Sequence, residues 1–515
     1  HDDGSIGGGD CTLREAINAA NAQSGDDTIA FAAGVTGTIQ LGSELPQIST
    51  SMVIAGPGAN VVTVRRNTAP AYRIFVIANP PQNDPVVTIS GLTIANGLAP
   101  NGGTPINSGG GIINDRSKLT VRDCVLTGNS SSLASFSYGG AIMNNGGHLT
   151  VDRCTLSGNT AYYGGGIANR PYVDSGVRNI AITNSTFAAN TAAYGGAIIN
   201  EVQNISFIAN VGVTHCTFSG NTGSEVGGGI YNSAANSGTV NLSVSHCTFA
   251  GNTSNLGSSL YNFAFSATAT ATLRNNIFAT NSGANLFNIG TSMSSLGYNV
   301  SSDNGGGALT ATGDKTNTNP LLAPLASNGG PTQTHALLPG SPALDNGRSF
   351  LLPFDQRGFA RAADSMCFTN APGGDGTDSG AFEVSPFGGI IDTDGDGMPD
   401  EFEVFFNLSD PNADMDGDGD SNVKEYQNGT DPCDNGSYLL RIISIVRNGN
   451  DVVIIFNAVA GKTYRLERKT LITDTDWMSI PEVPDLTAGV TANAQFTHFG
   501  AIVVPSTFYR VRLLP

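Results

Sequence analysis

Two stretches in the last quarter of the chain carry residue types and spacing suited to binding an ion. Asp392, Asp394, Asp396, Met398, Asp400 and Glu403 stand at positions 1, 3, 5, 7, 9 and 12 of a twelve-residue loop, with Gly397 at position 6. Asp414, Asp416, Asp418, Asp420, Asn422 and Glu425 repeat the spacing around Gly419. A hard divalent cation such as Ca2+ takes roughly six to eight oxygen ligands, and position 7 of such a loop offers its backbone carbonyl, so Met398 is no obstacle. The glycine supplies the sharp turn that brings the carboxylates together. Two copies therefore predict two Ca2+ sites. The charge distribution agrees. From Asp392 to Asp434 there are 14 Asp and Glu against one Lys, in a chain whose net charge is −18. The negative charge is local, which points to cation sites rather than a generally acidic surface. There is no basic footprint for a nucleic acid.

Other residues capable of chemistry read differently. The seven cysteines are odd in number, which excludes a fully paired intramolecular framework. Cys124, Cys154, Cys216 and Cys247 recur at one place in a repeat, where Ser185 and Asn276 also stand. Neither thiol pair has metal-ligand spacing, so the column reads as small buried residues; disulfides Cys124–Cys154 and Cys216–Cys247 are the alternative. Cys367 and Cys433 flank the calcium segment and form a candidate disulfide. Asp355-Gln356-Arg357 is expected to be a structural ion pair closing the last coil. His215 and His246 are expected to stack along an exposed edge. Glycoside hydrolysis needs two converging carboxylates. The equivalent turn residues (Arg122-Asp123, Asp152-Arg153, Thr183-Asn184, Thr214-His215, Ser245-His246 and Arg274-Asn275) vary from copy to copy. No catalytic residue is expected.

The elements that carry these residues follow from a repeat. Gly is abundant at 66 residues and charged residues are only 13 %, against an average near 25 %, yet hydrophobic residues reach 39 %. That combination suits many short strands joined by tight turns. A unit of about 31 residues recurs from Gly109 to Asn281. Its first half reads as in Gly195-Gly196-Ala197-Ile198-Ile199-Asn200, and its second as in Val211, Val213, Cys216, Phe218, Asn221. Apolar residues two apart mean strands with one buried face, and a constant unit length stacks equivalent residues. The fold class is therefore all-β: a right-handed parallel β-helix on the order of 50 Å long, at ~4.8 Å per strand. Asn129, Asn159, Asn190, Asn221, Asn252 and Asn281 are expected to form an amide ladder at one corner, asparagine tolerating left-handed backbone. The paired glycines are expected to supply positive φ at another. Alternating segments from Tyr438 onward, around Trp477, predict a small antiparallel β-sandwich. The divisions are an N-terminal cap over 1–27, the β-helix with its terminal capping region over 28–385, calcium loops over 386–435, and the sandwich over 436–515.

Several of these motifs resemble known families. Gly195-Gly196-Ala197-Ile198, with Phe187-Ala188-Ala189-Asn190 and Phe218-Ser219-Gly220-Asn221, resembles the polymorphic outer-membrane protein repeat (GGAI and FxxN). Cys11-Thr12-Leu13-Arg14-Glu15-Ala16 resembles the CSLREA-type segment of bacterial β-helix proteins. Leu337 to Asp345, with Asp355-Gln356-Arg357-Gly358 and Asp378-Ser379-Gly380-Ala381-Phe382-Glu383, resembles a choice-of-anchor region. The acidic loops follow the EF-hand loop pattern and, with Thr430-Asp431-Pro432, resemble thrombospondin type 3 or dockerin-like calcium repeats. These resemblances imply a bacterial surface or secreted protein with adhesive or structural duty, and a rigid calcium-dependent spacer.

No run of ~18 apolar residues is present to suggest a transmembrane helix. The polar start at His1 reads as a processed, secreted product. The CSLREA-type segment is usually preceded by another short strand, whose place a neighbouring chain can fill; head-to-tail self-association is thus one expected partnership, and surface or extracellular-matrix components another. The expected function is a non-enzymatic extracellular scaffold, adhesin or filament subunit. The alternative is a polysaccharide-binding or polysaccharide-degrading β-helix.

Overall fold

The computed structural model describes residues 11–514 except 24, 68, 79–83, 101–107, 132–135, 172–175, 204–206, 280, 387–390, 438–439, 460, 472, 474, 490–491 and 502–507. The chain forms two compact units, His1–Gly388 and Gly389–Pro515.

The first unit is a parallel β-solenoid. Each coil contributes to two ten-stranded parallel sheets and, for most coils, to a third sheet of eight strands. In the first sheet Leu119, Leu149, Ile180, Val211 and Leu242 lie in register. The second stacks Leu126, Leu156, Phe187, Phe218, Phe249 and Phe278. The third stacks Ile112, Ile142, Ile167, Ile198, Ile230, Leu260 and Leu286. All of these are buried in one continuous core. Like stacks on like because the coil length returns each position to the same azimuth one strand spacing on. The Phe187–Phe218 and Phe218–Phe249 ring centroids are therefore 4.9 and 4.5 Å apart with planes within 6°. Burying each such side chain contributes about 1.5–3 kcal/mol.

The corners differ from the simple sequence expectation. Between the first and second sheets Asp123, Arg153, Asn184, His215, His246 and Asn275 all adopt φ of 50–54°. At the next corner the left-handed residue is the one before Asn129, Asn159, Asn190, Asn221 and Asn252 (Gly128, Gly158, Ala189, Gly220, Gly251), leaving the asparagine free to point inward. The paired glycines also divide their work. Gly195 has φ 65°. At Gly228 the constraint is space, since a Cβ there would stand 2.6 Å from the Ser258 carbonyl oxygen of the next coil.

At the N-terminal end a helix, α1 (Leu13–Ala22), is started by a capping box of Thr12 and Glu15. Its apolar stripe, Leu13, Ile17 and Ala20, joins the rod core and covers the open coil. The segment 319–385 meets the last coil, where Lys315 Nζ donates to Pro342 O and Ser379 Oγ to Tyr298 O, both at 2.8 Å, but it extends well beyond that coil. It runs back beside the second sheet, where Gln356 bonds Thr186 Oγ1 at 2.9 Å and accepts from Thr217 Oγ1 at 2.7 Å, and the Ala381 N–H donates to Thr248 Oγ1 at 3.0 Å. The Asp355–Arg357 ion pair forms at 2.8 Å with both side chains fully buried, but within this covering segment at mid-rod. His215 and His246 are correspondingly not on an exposed edge; they are 8 % and 0 % exposed. In three coils the strands Ile198–Val202, Ile230–Ala235 and Leu260–Phe265 run long and form a side wing, with its own small core of Val202, Phe207, Ala209, Ala234, Val240 and Ala269.

In the second unit two short helices, α2 (Asp400–Phe406) and α3 (Asn422–Asn428), precede antiparallel sheets. One sheet pairs Ile442–Asn448, Asp451–Ala458 and Ala492–His498; the other is built on Thr463–Lys469 and Phe508–Leu513. Ile454, Phe456, Tyr464, Leu466 and Phe496 form their shared core. Among the described residues no helix is long and apolar enough to cross a membrane.

Candidate metal centre

Each acidic loop is wound around its first aspartate. Asp392 accepts from the Gly395 N–H at 2.7 Å and from the Gly397 N–H at 3.0 Å. Asp414 accepts from Gly417, Asp418 and Gly419 at 2.8, 3.1 and 2.9 Å. The following carboxylates each take one backbone N–H two residues on, as Asp396 does from Met398 at 2.9 Å and Asp418 from Asp420 at 2.8 Å. These local bonds follow from short acidic side chains in a glycine-turned loop. They bring ligand oxygens of Asp392, Asp394 and Asp396, and of Asp414, Asp416 and Asp418, within 4.8 Å of one another.

What remains unsatisfied tests the fit of an ion. Asp396 Oδ2, Asp416 Oδ2, Asp418 Oδ2, Asn422 Oδ1 and both carboxylate oxygens of Glu425 are buried without a hydrogen-bond partner. Thr430 is the polar side chain beside Glu425. Burial, then the neighbouring aspartates, push Glu425 up to about 8 and Glu403 up to about 7. Burial likewise raises Asp416 to about 6. Convergent oxygens that repel one another and lack donors are the chemistry a hard cation resolves. The donor sets fit the ion.

The remaining expected ligands divide. Met398 is buried, and Asp420 turns its carboxylate to Arg441 at 3.8 Å, so both keep only a backbone carbonyl for the loop. Asp400 is turned onto Thr393, accepting from its N–H at 2.7 Å and its hydroxyl at 2.6 Å. Asn422 donates to Asp410 O at 2.8 Å. Behind the loops Phe402 packs on Phe406 and Tyr426, at 4.7 and 5.0 Å between ring centroids, so α2 and α3 share one aromatic support. Left-handed Asn407 and Gly429 end these helices at equivalent places.

Within the rod, polar groups are matched to one another. Asn129, Asn159, Asn190, Asn221, Asn252 and Asn281 form one chain of amide-to-amide bonds of 2.9–3.2 Å. Each oxygen along it also accepts a backbone N–H from the preceding coil, as Asn190 does from Asn159 at 3.0 Å. The repeat pattern hides a second ladder, Asn114, Asn144, Asn169, Asn200, Asn232, Asn262 and Asn288, with amide bonds of 2.7–2.8 Å. Its signal was the asparagine closing each Gly-Gly half-unit. A third column, Asn179, Asn210 and Asn241, lines a shallow cleft of about 460 Å³ with Gly212, Ser243, Thr270 and Thr272.

Cys124, Cys154, Cys216 and Cys247 are buried free thiols, so the alternative disulfides within that column are not formed. Cys154, Cys216 and Cys247 each donate to the carbonyl two residues earlier, at 3.2–3.3 Å. Ser185 does the same at 2.6 Å, which explains why it shares the column. Cys433 is disulfide-bonded, and so is Cys367 in the first unit. No known protein family matches the chain, and no curated protein is similar to it in sequence.

Proposed function

We propose that this chain is a non-enzymatic structural or adhesive protein of the extracellular surface, in which a rod is followed by a spacer stiffened by two Ca2+ ions. The observation that carries the reading is a contrast in polar satisfaction. The rod's buried asparagines, thiols and imidazoles are largely occupied by the stack, while buried carboxylate oxygens without donors concentrate in the two acidic loops. Such loops repel themselves when empty and order around an ion. A Cys367–Cys433 disulfide belongs to the same proposal and fits an oxidising, extracellular compartment. The partners are a second copy of the chain, associating end to end, or components of an extracellular surface.

Calcium titration of the full chain by calorimetry tests the spacer. Two ions bound per chain support it, and no heat up to millimolar calcium contradicts it. Negative-stain images with and without calcium separate end-to-end fibres from single rods. Release of unsaturated oligosaccharides from an acidic polysaccharide would sink the non-enzymatic reading. One observation favours polysaccharide binding as a second reading: the uncharged cleft over Asn179, Asn210 and Asn241, whose small neighbour Gly212 leaves its floor open. Glycan-array retention that is lost in Gly212→Trp would favour it.

A further inference from the structure

The covering segment meets the rod at two imidazoles set edge to face. His215 and His246 occupy successive coils at the left-handed corner, with ring centroids 5.3 Å apart. Above them lie the Arg348–Phe350 turn and Arg361 of the segment. His246 is tied on both sides. Its Nε2–H donates to the Arg348 carbonyl at 3.1 Å, and Nδ1 meets the Ser245 hydroxyl at 2.7 Å, whose oxygen also accepts from Arg274 Nε at 2.9 Å. A second proton on Nδ1 would put a further buried cation beside Arg274 and Arg361. His215 is buried with Nε2 lacking a hydrogen-bond partner.

The charges facing the pair are cationic from both sides. Arg274 reaches it from the following coil and Arg361 from the segment. The carboxylate paired with Arg361, Glu383, accepts from Arg361 Nη1 at 3.0 Å and from the N–H groups of Asp378 and Ala363 at 3.0 and 3.1 Å. Asp375 is bound to Ser349 and Thr377. Burial, then these guanidinium groups, lower His215 to about 2 and His246 well below the ordinary imidazole range.

We propose that the His215–His246 pair is a proton-sensitive latch: while neutral it holds the 319–385 segment against the rod, and protonation releases the segment and uncovers the Thr186–Thr217–Thr248 face. The sign follows from linkage. The latched rings stay neutral, whereas exposed imidazoles take a proton below about pH 6.5, so the open form binds more protons. At pH 5.0 each imidazole favours opening about thirtyfold, and the pair by on the order of 10³. His335 lies on the same seam, with Nδ1 on Ala323 O at 2.8 Å and Nε2 on the Ser219 hydroxyl at 3.0 Å; burial lowers it too, so it adds to the same opening and is replaced together with the pair in the control. Asp345, raised to about 8, has Ser365, Asp364 and Asp378 of the same segment as its neighbours, so this environment travels with the segment.

Hydrogen exchange on the full chain reads the latch directly. The Gly380 N–H, bonded to Asn275 O at 2.8 Å, and the Ala381 N–H, bonded to Thr248, report on the seam; strand amides of Leu149–Val151 in the first sheet serve as reference. With intrinsic rates corrected, seam protection is expected to fall about a thousandfold relative to the reference between pH 7.5 and 5.0. In His246→Gln with His215→Phe and His335→Gln, which cannot take these protons, the ratio is expected to stay flat. Unchanged wild-type protection at pH 5.0 overturns the proposal whatever the variants do. So does an equal loss in the triple variant, or a loss shared by the reference strand.

Discussion

A buried asparagine is costly unless both faces of its amide are met, and the ladders meet them by repetition alone. Asn190 donates to Asn221 Oδ1 and Leu156 O, and accepts from the side chain and the backbone of Asn159. Replacing it with alanine removes partners from the coils on both sides. Asn190→Ala should therefore cost about 3 kcal/mol or more in urea unfolding of the rod, a loss of ~1–3 kcal/mol per buried unsatisfied group. In the acidic loops one atom decides more than packing does. Glu425→Gln removes the carboxylate at position 12 and should weaken one of the two calcium affinities at least tenfold, leaving a single tight site by calorimetry. The ladder and the loops were both legible in spacing. The environment of His215 and His246 was not, because what buries them at the corner arrives 102 residues later, with Arg348.

At the scale of elements, the repeat works only where backbones fit. Gly228→Ala puts a Cβ against Ser258 O and Thr253 O, backbone that cannot give way, and should destabilise by several kcal/mol. Gly212→Ala enters open space in a strand and should be neutral or stabilising by up to about 1 kcal/mol, which makes it the control for thermal melts. The acidic loops behave oppositely with pH. Glu425, Glu403 and Asp416 have folded values raised to about 8, 7 and 6. Their stability is thus complete below the ordinary carboxylate range and is lost as pH rises through 6 to 8. Without calcium the second unit should melt lower at pH 8.5 than at pH 5.5, and added calcium should reverse that order. An apo melting temperature that rises with pH would contradict it.

At the scale of the whole molecule, two compact units with separate cores should unfold in two calorimetric transitions. Trp477, the chain's single tryptophan, lies between Lys469 and Arg510 in the second unit, and its fluorescence should follow only that unit's transition. Calcium should move this transition and leave the rod's in place. One transition reported alike by fluorescence and by β-sheet dichroism would contradict the division. Non-reducing peptide mapping that pairs Cys367 with a cysteine other than Cys433 would break the disulfide assignment.

The parallel solenoid, its core columns, the asparagine ladder and both acidic loops could be read along the chain, because each is a matter of period and spacing: a 31-residue return stacks like residues, and a twelve-residue loop brings oxygens to one point. Which glycine needs left-handed backbone and which needs room was decided only by the coil stacked on it. The same holds for Asp355-Gln356-Arg357, which sits on the threonines of mid-rod instead of at the end, and for the imidazoles beneath Arg348 and Arg361. Those contacts join residues a hundred or more positions apart through an aperiodic segment. Periodicity specifies what a repeat does to itself; it says nothing of what folds back onto it, because that depends on shape and hydrogen-bond complementarity that exist only once the coils are stacked.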